Sequence, residues 1–257
     1  MTRNNKRNIV ALRNRCERKN INKRRRRMKV FEIRLKIFLL QDIHISHIQT
    51  RIAAFLDKGF LKDEELTKFH EENKYKYYSH DLPFPLEKDK VYKKDKIYTI
   101  TIRTIDEKLA RYFSEVCVNS YTEEIKGLTS EIRIIPQKHI ECLYTLTPAI
   151  LKDDKGYWRD YMNLTEFGER LKVNLIKKWN QFAHEKLEED FELYTVIDFS
   201  NKVPIAMEYK NIKLLGDKFC IHISEHPTAQ NLAHMAIGTG VCEMNSRGAG
   251  FVNYRWL

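Results

Sequence analysis

Residues Val30–Leu39 read Val-Phe-Glu-Ile-Arg-Leu-Lys-Ile-Phe-Leu, and the fold is read outward from this stretch. Phe31, Ile33, Leu35, Ile37 and Leu39 fall on one side and are all apolar, whereas Glu32, Arg34 and Lys36 share the other with Val30 and Phe38. Successive side chains of a strand point to opposite faces, so this period of two marks a half-buried strand. Downstream, residues 45–56 place Ile45, Ile48, Ile52, Phe55 and Leu56 at helical spacing, with Gly59 as a natural stop. Residues 63–70 predict a second short helix whose acidic first turn suits the helix dipole. Strands are expected over 75–84 and 97–104, an amphipathic helix over 105–118, and a strand over 129–135, ahead of Pro136. The order β-α-β-β-α-β is the ferredoxin-like arrangement.

The second half repeats that order without repeating the sequence. A strand over 139–146 precedes a long helix over 164–187, and strands follow over 192–199 and 205–223, the latter read as a hairpin turning near Gly216 and Asp217. A short helix over 228–237 and a strand over 250–256 close the chain. The expectation is an α+β protein of two tandem ferredoxin-like (RRM-like) domains, residues 28–136 and 137–257, behind a basic, disordered arm of residues 1–27.

That arm holds twelve Lys or Arg and one acid, Glu17, which accounts for the whole net charge of +11; the 34 basic and 34 acidic residues elsewhere cancel. The body therefore cannot be assigned a polyanionic partner on bulk charge, and any groove for RNA must come from local clustering. Two readings of the arm stand side by side: a tail that seeks phosphates, or a dispensable extension ahead of a start at Met28. No apolar segment follows the charges as a signal peptide would require, and no apolar run reaches membrane-spanning length. Cys16, Cys117, Cys142, Cys220 and Cys242 are odd in number and never form C-x-x-C, which argues against both a disulfide framework and a zinc site. A cytoplasmic protein without a cofactor is expected.

Four of the nine glycines fall within Gly238-Thr-Gly240-Val-Cys-Glu-Met-Asn-Ser-Arg-Gly248-Ala-Gly250. Glycine permits positive φ and close approach, exposed N–H groups can bind anions, and Arg247 adds a fork suited to phosphate. The same run also reads as a tight turn packed against its neighbour. It matches neither the P-loop pattern nor a G-x-G-x-x-G opening a helix, so a nucleotide cofactor is not indicated. Placed after a helix and before a terminal strand, residues 240–252 resemble the glycine-rich signature of CRISPR repeat-processing endoribonucleases, the sixth Cas family of the RAMP superfamily. Glu243, Asn245, Ser246, Gly248 and Gly250 carry that resemblance, while Cys242 stands where another glycine is common. Residues 209–216 and the duplicated layout agree with it.

The resemblance implies a metal-independent cut of CRISPR precursor RNA within its repeats. The 2′-hydroxyl attacks the adjacent phosphate and leaves 2′,3′-cyclic phosphate and 5′-hydroxyl ends. It also implies RNA contacts from Gly240, Asn245, Ser246, Arg247, Gly248 and Gly250. In the family a histidine near the end of the first crossover does acid–base work with a lysine shortly after it, which points here to His70 and Lys76, with Lys74 as a nearby substitute. Imidazole titrates near pH ~6.5 and can exchange a proton at neutrality. Where some members place a tyrosine in the first helix, this chain has Phe55.

Residue type alone favours a solvated helix-end histidine at position 70. His44 and His47, three apart at the start of the first helix, are the rival pair. The run Lys74-Tyr75-Lys76-Tyr77-Tyr78 could stack bases and meet phosphates, or simply face a core. Arg170, Lys172, Lys177 and Lys178 of the long helix read as a solvated face. The expected partners are CRISPR repeat RNA and other Cas proteins, with the chain as monomer or homodimer. The alternative is a non-catalytic RNA-binding RAMP subunit of a ribonucleoprotein, and a third reading is a basic-tailed ribosome- or transcript-binding protein.

Overall fold

A computed structural model describes residues 28–60, 63–210 and 212–257; the basic arm of residues 1–27 lies outside them. The opening stretch forms strand β1 (Val30–Leu39), flanked by β5 (Ile97–Thr104) and β6 (Ile125–Ile135), and β3 (Tyr78–His80) completes the sheet in the order β3-β5-β1-β6. Every pairing is antiparallel, with Ile33 opposite both Ile102 and Ile132. Ile33, Leu35, Ile37 and Leu39 are fully buried, as the alternation predicts. They meet Ile48, Ile52, Phe55 and Leu56 of helix α1 (Ile45–Lys58) and Leu109 of α3 (Glu107–Arg111). Each such side chain contributes about 1.5–3 kcal/mol of burial. Helix α2 (Glu64–Glu71) starts where the Asp63 carboxylate accepts from two first-turn amides. A two-residue pairing of β2 (Ile43–His44) with β4 (Val91–Tyr92) fixes the entry to α1.

The second sheet has the same logic. Strands β7 (Ile140–Thr145), β8 (Tyr194–Phe199), β11 (Phe219–Ile223) and β12 (Val252–Trp256) lie in the order β12-β7-β11-β8. Helices α4 (Leu164–Ala183) and α5 (Pro227–Thr239) cover one face, the former starting in a capping box between Asn163 and Glu166. Each sheet thus sets its four strands in the order second-third-first-fourth, the ferredoxin-like topology met twice. The halves share packing, since Val30, Ile105 and Ile135 belong to the same core as α4 and α5. A buried guanidinium also joins them. Arg103 bonds Glu32 at 2.8 Å and the Val252 carbonyl at 2.7 Å, and lies 4.7 Å above the Phe251 ring.

Several boundaries differ from the sequence reading. The strand expected over 75–84 is regular only at Tyr78–His80, because Tyr77 takes a left-handed φ of 54°. The helix over 105–118 is α-helical for five residues and then continues through a wider turn, Tyr112–Val116, and a 3₁₀ turn, Cys117–Asn119. The hairpin of β9 (Ile205–Tyr209) and β10 (Ile212–Gly216) turns after Lys210, at φ 54°, not at Gly216 and Asp217. Asp217 is instead a buried carboxylate that accepts from Tyr157, Trp158, Arg159 and Asn201. Gly216 passes so close to Ala149 that a Cβ would lie 2.5 Å from its carbonyl oxygen.

Candidate active site

The site is built on the last turn of α1, where Asp57 meets three chain segments. His70, in the last turn of α2, brings Nδ1 to 3.6 Å from Asp57 Oδ1, and its ring packs 5.7 Å from that of Phe60. The buried hydroxyl of Tyr78 donates to the same oxygen at 3.4 Å, and Arg247 of the glycine-rich loop pairs with Oδ2. An imidazole from the first half and a guanidinium from the second therefore converge on one carboxylate. Burial opposes charge on Arg247, but Asp57 more than compensates and holds its pKa above the ordinary value. Burial pushes the Tyr78 phenol up, so it is a donor at neutral pH.

Lys76 plays a part the sequence did not indicate. Its ammonium donates to the carbonyls of Phe69, His70 (3.0 Å) and Glu72 (2.7 Å), closing the end of α2. All three N–H donors are thereby occupied, so Lys76, singled out beside His70 by resemblance, is engaged with backbone carbonyls. Burial pulls its pKa down, Glu72 opposes the shift and Arg247 adds to it. Lys74 is exposed and pairs with Glu72 at 3.0 Å.

His44 and His47 stand at the other end of α1, about 15–20 Å from Asp57 by helical rise. His44 caps the helix through Nδ1 and contacts Ser46 Oγ at 2.8 Å. His47, 56% exposed, places Nδ1 2.7 Å from Glu208 Oε2 on β9. Between the two ends, Gln49 donates to the Gly248 carbonyl at 2.7 Å, so the glycine-rich loop lies along α1.

Of the two readings of the loop, an anion-binding run of amides or a tight packed turn, its hydrogen bonds fit the second. The N–H groups of Gly240, Gly248 and Gly250 donate to Ala236, Asn245 and Pro148. Gly248 (φ 90°) abuts the buried His80, and a Cβ on Gly250 would lie 2.1 Å from the Val241 carbonyl oxygen. Asn245 also turns inward, donating to Val241 and Ala249. Ser246 and Arg247 remain half-exposed.

Lys178, expected on a solvated face, is 1% exposed and bonds the loop from behind. The helical phase carried the signal, because Leu171, Leu175, Lys178 and Phe182 share one stripe. Asp57, Gln49 and Glu208 carried none, since each acts across segments distant in sequence.

Residues 131–254 match the family described as CRISPR associated protein Cas6, C-terminal. The C-terminal half is thus similar to a Cas6 C-terminal domain. Solved structures share the Cas6-type fold over most of the chain. One titled "CRISPR associated protein Cas6" covers 88% of this chain and 99% of its own at 21% identity and a TM-score of 0.61. A RAMP protein described as binding different RNA substrates gives 16%, with 88% and 99% covered and a TM-score of 0.66. A Cas6-related protein from Pyrococcus furiosus gives 16%, with 88% and 98% covered and 0.62. No curated protein matches the sequence. No described helix is long and apolar enough to cross a membrane.

Proposed function

We propose that the protein cuts CRISPR precursor RNA within its repeats, without a metal, by attack of a 2′-hydroxyl on the neighbouring phosphate. The carrying observation is the convergence of His70 and Arg247 on Asp57. Asp57 beside Nδ1 favours the tautomer with Nε2 free to take the 2′-hydroxyl proton. Arg247 spends one amino group on Asp57 and offers the rest of its fork to the charge that builds on the phosphorane oxygens; the phosphorus–5′-oxygen bond then breaks and the departing oxygen takes a proton from water. Lys76 holds the helix end that presents His70, and Ser246 lies beside Arg247 on the same loop. Lys74 and the loop surface supply RNA contacts. The halves, residues 28–136 and 137–257, close on the strand between them. Repeat RNA incubated with the full chain in EDTA is expected to yield cyclic-phosphate ends. A 2′-deoxy nucleotide at the cut should block cleavage and spare binding. Metal-dependent cutting, or cutting of the deoxy substrate, would overturn the proposal.

A second arrangement is favoured by the 2.7 Å bond between His47 and Glu208, which fixes an exposed imidazole with its other nitrogen free. Under that reading His47, with His44 beside it, serves as the base. A protein that binds repeat RNA and never cuts it would instead be a RAMP subunit held among other Cas proteins.

A further inference from the structure

A lysine in a protein interior costs several kcal/mol unless its three donors find acceptors. Lys178 of α4 finds three, all in the glycine-rich loop: the Gly240 carbonyl at 2.9 Å, the Cys242 carbonyl at 2.9 Å and Asn245 Oδ1 at 2.7 Å. Asn245 passes the constraint on, since its amide group donates to Val241 at 2.8 Å and Ala249 at 3.0 Å. One ammonium thus fixes four loop carbonyls, directly or through one side chain.

The same helix face carries two more partners, at the spacing that aligns side chains along one stripe. Asn174 donates to Glu243 of the loop at 3.2 Å. Gln181 donates to the Tyr77 hydroxyl at 2.5 Å and bridges the backbone of Tyr75. One side of α4 therefore grips both the loop with Ser246 and Arg247 and the segment with Lys76.

We propose that Lys178 is a positioning residue for RNA cleavage: by gathering three loop oxygens it sets the shape in which Ser246 and Arg247 face the substrate. This deepens the nuclease reading above and rests on it. Around the ammonium stand Glu243 and Cys242 from the loop and Tyr75 from the segment before β3, while Arg170 on α4 acts on Cys242 and Tyr75. Burial pulls Lys178 down to about 8, with Cys242 and Glu243 opposing, while burial pushes both the Cys242 thiol and the Tyr75 phenol up. Among these neighbours, Lys178 is the group placed to titrate in mildly alkaline solution.

The test joins single-turnover cleavage with amide hydrogen exchange on the full chain. Lys178→Met, close in length and apolar, should raise exchange across residues 240–250 at least tenfold while α4 and both sheets stay protected. Cleavage rate at saturating RNA should fall about a hundredfold, with a smaller change in RNA affinity. Unchanged loop exchange, or an unchanged rate per folded molecule, would overturn the assignment. Should Lys178→Met fail to fold, the wild-type chain carries the test through NMR with both lysine side chains and backbone amides labelled. The loop resonances should move with one lysine that titrates near 8. Indifference of the loop to that titration counts against the proposal. A wild-type protein that cuts no RNA would sink the nuclease reading, whereas the loop measurements judge Lys178 in either case.

Discussion

The two ends of α1 offer an instructive contrast. At its start, His47 is fixed by a single short bond to Glu208, and both partners are open to water. At its end, His70 is held more loosely by distance, yet it sits in a junction of α1, α2, β3 and the terminal loop, with a cation on the far side of the shared carboxylate. An isolated histidine–carboxylate pair can orient a base. In the second arrangement a guanidinium also pairs with the same carboxylate, the kind of group that would meet the charge of a phosphorane. The distance from imidazole to carboxylate thus discriminates less than what else touches that carboxylate.

The largest effect expected is on His70. His70→Ala should lower single-turnover cleavage of repeat RNA by about 10²–10⁴-fold while leaving affinity nearly unchanged, measured by gel and filter binding. Arg247→Ala should cost about 10²–10³-fold, and here a parallel loss of affinity is expected because the same fork meets phosphate. If instead His47→Ala gives the large loss and His70→Ala the small one, the contrast is inverted and the base belongs to the other end of the helix. The ordering drawn here predicts about a twofold change or less for His47→Ala and for Glu208→Gln, as for most exposed substitutions.

The loop between the two ends gives effects of intermediate size. Gly248→Ala would force a side chain into a positive φ and against His80 and Gln49, at a cost of about 1–3 kcal/mol read from urea unfolding. His80, behind the loop, is fully buried, unlike His47 and His70: burial lowers its pKa to about 4, the Asp81 carbonyl opposes that shift, and Arg247 adds to it. An unfolded imidazole binds a proton near pH ~6.5. As pH falls, the unfolded chain protonates first, so this group's contribution is complete above pH ~6.5 and is lost progressively toward pH 4. The full loss is about 3 kcal/mol. A His80→Gln variant should show a shallower decline of unfolding free energy between pH 6.5 and 4 than the wild type; parallel curves would remove His80 from the account.

What the sequence made legible follows from the range of the interactions. The ten-residue alternation of β1 and the apolar stripe of α1 report burial within one element, and both halves of the fold could be ordered from such local periods. His70 and Lys76 stood out by resemblance, but the work of Lys76 did not, because a lysine reads as a surface charge until three helix-end carbonyls close around it. Asp57 carried no signal at all: its role needs Arg247, 190 residues away, to be folded against it. The glycines advertised an anion cradle, while the amides of Gly240, Gly248 and Gly250 are spent on carbonyls of α5, the loop itself and Pro148. Composition reports conformational permission, not which partner takes up the freed groups.

The central claim is that His70 and Arg247, from opposite halves, act as one unit through Asp57. A double-mutant cycle on single-turnover cleavage tests it, using His70→Ala, Arg247→Ala and the pair, with repeat RNA in EDTA. The account predicts that the double variant is slower than the wild type by much less than the product of the two single losses, a coupling above about 1 kcal/mol. Losses that simply multiply, or a pair that still cuts at the wild-type rate, would contradict it.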